Sequence, residues 1–324
     1  MKPRLLITGG AGYIGSVLTA YFIDNGHEVV ILDDLTTGSA IDVRASFING
    51  SILDKPKVLN ALSKVDVVIH CAAKSLVEES ISKPDEYSQV NTAGTHLLLE
   101  AMIEIGVNKI IFSSTAAVYG DRSVQPISEN ADVNPINPYG QSKFAAEQVI
   151  SEFSSKGIAA ITFRYFNVAG SYKNSKGELL TENHQDETHL IPKILKSTIE
   201  NGLDSKVEIY GNDFPTKDGS CVRDYLHVQD LAHAHLLAID KLEEGVSKLF
   251  NLGSGVGYSV FEVLSEIEKV VGVELNKVSS PARAGDPVVL LAAIDKAKNE
   301  LGWKPKASLT EIITSSWQGM KQIG

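Results

Sequence analysis

Leu5-Leu6-Ile7-Thr8-Gly9-Gly10-Ala11-Gly12-Tyr13-Ile14-Gly15 decides the fold. Arg4–Thr8 is a short apolar run ending at glycines, the pattern of a buried strand. Tyr13–Asn25 then has helical periodicity and stops at Gly26. Glycines at 9, 12 and 15 give the spacing G-x-x-G-x-x-G directly between strand and helix. Glycines placed so permit a tight turn, backbone approach to a pyrophosphate and close packing of helix on sheet. The helix N-terminus offers its free N–H groups to the anion. Asp33 ends the next apolar run, Glu28–Leu32, 18 residues beyond Gly15. A carboxylate there accepts hydrogen bonds from adenosine ribose hydroxyls and repels a 2′-phosphate, so the loop reads as a site for NAD rather than NADP. Asp34 is an alternative for the same role.

Outward from this loop the first half alternates strand and helix patterns. Strands are expected at Phe47–Asn49, Val65–His70, Lys109–Ser113 and Ala159–Tyr165, with helices notably at Asn91–Ile105 and Tyr139–Ser155. The alternation predicts an α/β fold, a doubly wound parallel sheet of Rossmann type that binds ligands at the carboxyl ends of its strands. Beyond Gly170 the pattern changes. Ser171–Glu187 is polar and reads as a solvent-exposed excursion. Helix-like Leu190–Asn201, Val228–Leu242, Val260–Val271, Asp295–Leu301 and Leu309–Gln322 follow, with a strand at Val207–Tyr210. The expected division is a cofactor domain over residues 1–168, to which about 222–255 return, and a smaller C-terminal α/β substrate domain over 169–324.

Composition narrows the partners. The 324 residues are 43% hydrophobic and 22% charged, as in an ordinary globular protein. A net charge of −10, from 30 basic and 40 acidic residues, argues against nucleic acid or an anionic membrane surface. Two cysteines, Cys71 and Cys221, lack a CxxC partner, so neither a metal site nor a disulfide framework is expected and a cytoplasmic location is the default. No apolar run reaches membrane-spanning length.

Tyr139-Gly140-Gln141-Ser142-Lys143 places a phenol and an ammonium four residues apart, on one face of a helix. An ammonium beside a phenol favours the phenolate, which can take a proton from an alcohol near neutral pH. Phe112-Ser113-Ser114-Thr115 ends the fifth strand with hydroxyls at the cleft. His70-Cys71-Ala72-Ala73 ends the fourth, where small residues admit the cofactor.

In this order the motifs resemble those of the extended short-chain dehydrogenase/reductase superfamily. Within it, the chain is similar to the UDP-glucose (UDP-galactose) 4-epimerases from Leu5 to about Trp303. Arg164-Tyr165-Phe166-Asn167, Thr188-His189-Leu190-Ile191-Pro192, Ile209-Tyr210-Gly211-Asn212-Asp213, Val222-Arg223-Asp224-Tyr225-Leu226-His227-Val228 and Arg283-Ala284-Gly285-Asp286-Pro287 carry the narrower likeness. The resemblance implies a reaction in which the sugar 4-hydroxyl is transiently oxidised and the hydride returns to the opposite face. Tyr139 would be the base, Lys143 would bind the nicotinamide ribose and, with the positive nicotinamide ring, depress the Tyr139 pKa, and Thr115 would hydrogen-bond the 4-oxygen. Gly9, Gly12, Tyr13, Ile14, Gly15, Asp33, Asp34, Ser51, Ile52, Cys71, Ala72, Ala73, Asn91, Ser113 and Tyr165, with Tyr139 and Lys143, would surround NAD. Asn167, His189, Leu190, Tyr210, Arg223, Arg283, Asp286 and Leu290, with Thr115 and Tyr139, would hold the UDP-sugar. Arginines suit the diphosphate because a guanidinium binds phosphate oxygens bidentately. Tyr210 suits stacking on the uracil. Arg223 and Asp224 could instead pair with each other, and Arg164 would support the fold. A homodimer is implied, with the helices at Asn91–Ile105 and Tyr139–Ser155 forming half of a four-helix bundle.

Three positions depart from the family pattern. Ser51 stands where an aspartate commonly meets the adenine. Ser75 stands where some members carry a lysine near the cofactor phosphates, with Lys74 one residue away. Leu290 stands where some members carry a bulky tyrosine, and leaves room for an N-acetyl group at the sugar 2-position. The rival functions are a nucleotide-sugar 4,6-dehydratase, a UDP-glucuronate decarboxylase or epimerase, and a non-catalytic NAD-sensing regulator. A dehydratase needs an acid–base pair after the strand-end threonine, where this chain has Ala116-Ala117. A regulator would have no use for Thr115, Tyr139 and Lys143 together.

Overall fold

The computed structural model of the chain describes residues 2–38, 41–184, 187–202, 206–283 and 287–323. The first half runs β1 (Leu5–Thr8), α1 (Tyr13–Asp24), β2 (Val29–Asp33), β3 (Ser46–Asn49), α2 (Lys55–Leu62) and β4 (Val67–His70). It continues through α3 (Val77–Ser82), α4 (Pro84–Tyr87), α5 (Gly94–Ile105), β5 (Lys109–Thr115), α6 (Pro138–Ser154) and β6 (Ala159–Tyr165). Then come β7 (Asn167–Ala169), β8 (Tyr172–Lys173), β9 (Leu179–Leu180), α7 (Leu190–Asn201), β10 (Lys206–Tyr210), β11 (Val222–His227) and α8 (Val228–Ile239). The chain closes with β12 (Ser247–Leu252), β13 (Gly257–Ser259), α9 (Val260–Val271), β14 (Asn276–Ser280), β15 (Val289–Leu290) and α10 (Leu309–Ile323).

Seven strands form one parallel sheet in the order β12-β6-β5-β4-β1-β2-β3. The order reverses between β1 and β4, which opens a crevice at their carboxyl ends. Both faces are covered, so β1, β4 and β6 are buried along their whole length. Leu5, Ile7, Val17, Phe22, Phe163 and Leu231 belong to the core on one face; Leu6, Val68, Leu98, Met102, Ile150 and Phe153 belong to that on the other. A separate core joins α7, α9 and α10 through Ile194, Leu195, Val263, Leu264, Ile312 and Ile313. Leu98 and Leu99 are fully buried and belong to the sheet's own core, while Leu97 is only partly covered.

Two expectations are corrected. The helix expected over Asn91–Ile105 starts as α5 only at Gly94, after a wider π-type turn over Ser88–Ala93. Ile52 Cδ1 packs 2.5 Å from where a Cβ at 94 would stand, so a larger residue there would require the Ile52 side chain to move. Ser171–Glu187 is not simply an exposed excursion. Tyr172, Asn174 and Glu182 are buried, and β8 and β9 form a hairpin tied to α1. The Asp24 carboxylate accepts from the Tyr172 hydroxyl at 2.8 Å, the Ser175 amide at 2.9 Å and Arg44 Nη1 at 2.6 Å. Several polar residues of this segment are thus tied to Asp24, far away in the chain, while Lys173 and Lys176 remain exposed.

Candidate active site

The loop after β1 is shaped for close approach. Gly9 has φ +70°, and a Cβ there would stand 2.6 Å from the Ala72 nitrogen; at Gly15 it would stand 2.0 Å from the Gly9 oxygen. Only glycine fits both places. Gly12 ends the loop as the N-cap of α1 and brings no side-chain cap, so first-turn N–H groups, beginning with Tyr13 and Ile14, remain for an anion. The Tyr13 side chain itself leaves the loop, its hydroxyl donating to the Gly170 carbonyl at 2.6 Å.

Asp33 braces the same loop. Its Oδ2 accepts the Ala11 N–H at 2.9 Å and its Oδ1 the Leu35 N–H at 2.8 Å. Asp34 is exposed and serves a local turn, accepting the Thr36 hydroxyl at 2.7 Å. Of the two acids, Asp33 stands at the crevice. Ser51 Oγ accepts the Leu53 N–H at 3.3 Å, and Ile52 is buried beside Gly94. Lys74 is held by acids of the following helices and is not free to stand in for the lysine that some members carry at position 75. Its Nζ lies 2.8 Å from Glu86 and 3.5 Å from Glu79.

Asn91 is a strut. Its Oδ1 accepts the Lys74 N–H at 2.8 Å, and its Nδ2 donates to Lys74 O at 3.0 Å and Ser142 Oγ at 2.9 Å. It therefore fastens the segment after β4 to α6. His70 is likewise structural, with Nδ1 2.7 Å from Thr8 Oγ1 and Nε2 2.9 Å from Thr95 Oγ1. Cys71 Sγ accepts from Ser113 Oγ at 3.2 Å, and burial pushes its thiol up to about 11. The Tyr165 hydroxyl lies 2.9 Å from Ser113 Oγ and 2.7 Å from His235 Nε2.

Helix α6 delivers the pair at 139 and 143. Asn137 caps it, accepting the Gly140 N–H at 2.8 Å, and Pro138 occupies its first position. A Cβ at Gly140 would stand 2.7 Å from the Ala117 carbonyl, so glycine lets the first turn settle on the chain just after β5. That contact brings Tyr139 to Thr115. Burial raises the Tyr139 hydroxyl above its usual pKa, and a hydrogen bond with Thr115 opposes the rise. Lys143 is 3% exposed, and its Nζ donates to the Ser113 carbonyl at 2.8 Å. Burial pulls its ammonium down to about 8. Among the protein's own groups burial dominates at Tyr139 and only the Thr115 hydrogen bond opposes it, whereas the expected depression joined Lys143 to the positive nicotinamide ring. Lys143 spends its charge on the strand-end carbonyl.

Two supports went unnoticed in the sequence. Tyr87 is fully buried with its ring edge-on to Tyr139, centroids 6.4 Å apart, and its hydroxyl donates to Leu76 O at 2.6 Å. No local pattern marks it. Glu147, four residues after Lys143, takes Arg164 Nε at 3.0 Å and Nη2 at 2.6 Å and also accepts the Ser114 hydroxyl. Its i,i+4 spacing from Lys143 was the available signal. Arg164 is therefore a fold support, as expected.

The second group of candidates lies on the later elements. The Arg283 guanidinium sits 3.8 Å over the Tyr210 ring. Arg223 on β11 is in register with Leu290 on β15, and both are half-buried. Arg223 Nη1 donates to the Val222 carbonyl at 2.9 Å. Asp224 faces other partners, accepting the N–H groups of Gly255 and Ala292 at 3.0 and 3.1 Å and the Ser254 hydroxyl at 2.7 Å. Asn167 is half-buried on β7, and Leu190 opens α7 with His189 as its N-cap. Asp286 lies outside the described residues.

The sequence profile of the NAD dependent epimerase/dehydratase family matches residues 5–253. The chain belongs to that family. It is 43% identical to the UDP-glucose 4-epimerase of Corynebacterium glutamicum over 99% of this chain and 97% of the relative. Among solved structures it resembles the UDP-glucose 4-epimerase of Stenotrophomonas maltophila with bound NAD and formylated UDP-arabinopyranose, at 34% identity and a TM-score of 0.92, covering 99% of each chain. It also resembles the UDP-Glc/GlcNAc 4-epimerase of Campylobacter jejuni, at 38% identity and a TM-score of 0.84, covering 99% of this chain and 100% of that one. Among the described residues no helix is long and apolar enough to cross a membrane.

Proposed function

We propose that this chain is a UDP-glucose 4-epimerase that interconverts UDP-glucose and UDP-galactose with NAD as its resident cofactor. The observation that carries the reading is the meeting of Tyr139 with Thr115, beside an anchored Lys143, at the carboxyl end of β5. The residues present fit NAD. Added Cβ atoms at Gly9 and Gly15 would strike backbone, and Gly12 leaves the start of α1 without a side-chain cap. Gly9, Gly12, Tyr13, Ile14 and Gly15 would hold its pyrophosphate, Asp33 its adenosine ribose, and Ser51 and Ile52 its adenine. Cys71, Ala72, Ala73, Ser113 and Tyr165 would line the nicotinamide side. When bound, NAD supplies the hydride acceptor and donor for the sugar C4.

The protein's own part is proton handling and positioning. Tyr139 takes the proton of the 4-hydroxyl and returns it to the same oxygen, so no net proton is lost. Thr115 orients that oxygen beside the phenol. The Lys143 ammonium fixes the strand end and adds a positive charge near the site. Arg223 and Arg283 hold the diphosphate and Tyr210 stacks on the uracil. Asn167 and Leu190 edge the same side, while His189, also expected there, is paired with Glu182 and Glu187; residues 169–324, apart from about 222–255, form the substrate lobe. Elimination of water is disfavoured because Ala116 and Ala117 follow Thr115, and the nearby Glu147 is already engaged by Arg164.

Leu290, half-buried and level with Arg223, sets the room around the sugar 2-position. We infer that UDP-N-acetylglucosamine and UDP-N-acetylgalactosamine are interconverted as well. The test is to incubate purified protein with UDP-galactose and with its N-acetyl form and resolve the products. Epimers from both are expected; a 6-deoxy or pentose product overturns the assigned reaction, and failure of the acetylated sugar alone overturns the specificity. Overpacking the pocket as Leu290→Tyr should slow the acetylated substrate about 10-fold or more while sparing the plain one, the kinetic size of a ~1–3 kcal/mol clash.

We further propose a homodimer built on α5 and α6, which pack side by side and leave Ile103 and Ile105 45% and 41% exposed on α5. Sedimentation at micromolar concentration should report twice the chain mass; the mass of a single chain counts against it. A cytoplasmic location is proposed from the scarcity of cysteine.

A further inference from the structure

The segment between β9 and α7 carries Glu182-x-His184 and Glu187-x-His189. In the sequence it reads as polar loop. In the structure the four side chains converge. His189 Nδ1 lies 2.7 Å from Glu182 Oε1 and 3.4 Å from Glu187 Oε1. His184 Nδ1 lies 3.4 Å from Glu182 Oε1 and 3.2 Å from Glu187 Oε2. One ligand atom from each residue can be chosen so that all four lie within 4.8 Å of one another. Zinc bonds to imidazole nitrogen and carboxylate oxygen are about 2.0–2.2 Å, which puts neighbouring ligand atoms of a tetrahedral site about 3.3–3.5 Å apart. Taking Oε1 from each carboxylate, the His184–Glu182 and His189–Glu187 separations, both 3.4 Å, already have that size. Two neutral imidazoles and two carboxylates also balance a divalent charge.

A second observation points the same way. Glu182 is 4% exposed, and its Oε2 is buried without a hydrogen-bond partner among the described residues. A carboxylate oxygen in that position is costly when left unsatisfied. Pairing with the two histidines uses only Oε1. A cation held by the cluster would draw on the remaining lone pairs of the same carboxylate.

We propose that Glu182, His184, Glu187 and His189 form a binding site for one divalent transition-metal ion, zinc by its mixed imidazole–carboxylate donors. The ion would clamp the chain leaving the β8–β9 hairpin to the first turn of α7. The site is separate from the proton-transfer residues, and its test does not depend on turnover. Untagged full-length protein is stripped with a chelator, loaded with zinc or cobalt and desalted. Elemental analysis should find one zinc per chain, and the cobalt form should show the strong visible absorption of a four-coordinate ion. His184→Ala and Glu182→Gln should each weaken metal binding about 10- to 100-fold or more, the loss seen even when only a supporting residue of a metal site is changed. His184→Gln keeps a polar side chain at the same place and settles the matter where the alanine variant loses its circular dichroism. Wild-type protein that retains no metal overturns the proposal, as does a folded His184 variant that retains as much as wild type. In either case the four residues are only an ion-pair cluster.

Discussion

Tyr139→Phe lowers epimerase turnover by about 10³-fold, within the range of removing a positioned acid–base group, while the bound NAD and the affinity for UDP are retained. The substitution deletes one oxygen and nothing else that packs. The ring keeps its edge-on contact with Tyr87, and Lys143 keeps its bond to the Ser113 carbonyl. What disappears is the group beside Thr115 that carries the proton of the sugar 4-hydroxyl in both directions. The pKa directions make this demanding. Burial holds the Tyr139 phenol above its ordinary value, so the phenolate must be favoured by positive charge brought into the site and by the Thr115 hydrogen bond. Lys143, pulled to about 8 by burial, remains mostly charged at pH 7 and contributes to that charge. Turnover is measured with UDP-galactose and cofactor content by absorbance of the denatured supernatant. A Tyr139→Phe variant of near wild-type activity removes the proton-transfer role altogether; one that has lost its NAD makes Tyr139 a cofactor ligand first.

The parts of the site legible in the sequence are those fixed by local geometry. Gly9 and Gly15 announce themselves because a strand turning into a helix over so few residues leaves no space there for Cβ atoms, and Gly12 stands between them with the same spacing. Asp33, Thr115, Tyr139 and Lys143 are readable because strand ends and helix starts face the crevice in any sheet of this topology. The sheet was legible for a related reason: strands buried on both faces are mostly apolar, as β1, β4 and β6 are, with the few polar residues such as His70 and Arg164 paired inside. What stayed hidden depends on residues far apart in the chain. The segment 171–187 looks exposed by composition, yet Asp24, about 150 residues earlier, gathers Tyr172 and Ser175. Asn91 looks like one more helical residue, yet it bridges Lys74 and Ser142. Tyr87 supports the catalytic helix through contacts that no spacing rule announces, and the spacing of Glu147 from Lys143 does not reveal that its partner is Arg164 on the sheet.

Glu147→Ala should be the most destabilising single change near the site, at about 3–5 kcal/mol, the cost of breaking a buried ion pair from one side. Arg164 and Glu147 expose only 4% and 10% of their side chains. The carboxylate meets the guanidinium at two points, 3.0 and 2.6 Å, and also accepts the Ser114 hydroxyl. Alanine would leave a guanidinium that cannot lose its proton, sealed between β6 and α6, with its Nη1 already lacking a hydrogen-bond partner among the described residues. The Tyr119 ring, 4.6 Å from the guanidinium carbon, would still face it. The thermal midpoint should fall by roughly 5–10 °C. Removing both charges as Glu147→Leu with Arg164→Met should recover at least half of the loss, because an apolar pair of similar volume no longer carries a desolvated ion. The two measurements separate cause from place. A single variant that unfolds within about 1 kcal/mol of wild type, the range of ordinary surface changes, denies the pair any structural weight. A double variant as unstable as the single one shows that shape, rather than charge, is what the position requires. Since Glu147 lies one turn beyond Lys143 on the helix that also carries Tyr139, the single variant should lose turnover along with stability, and the double variant should regain both together.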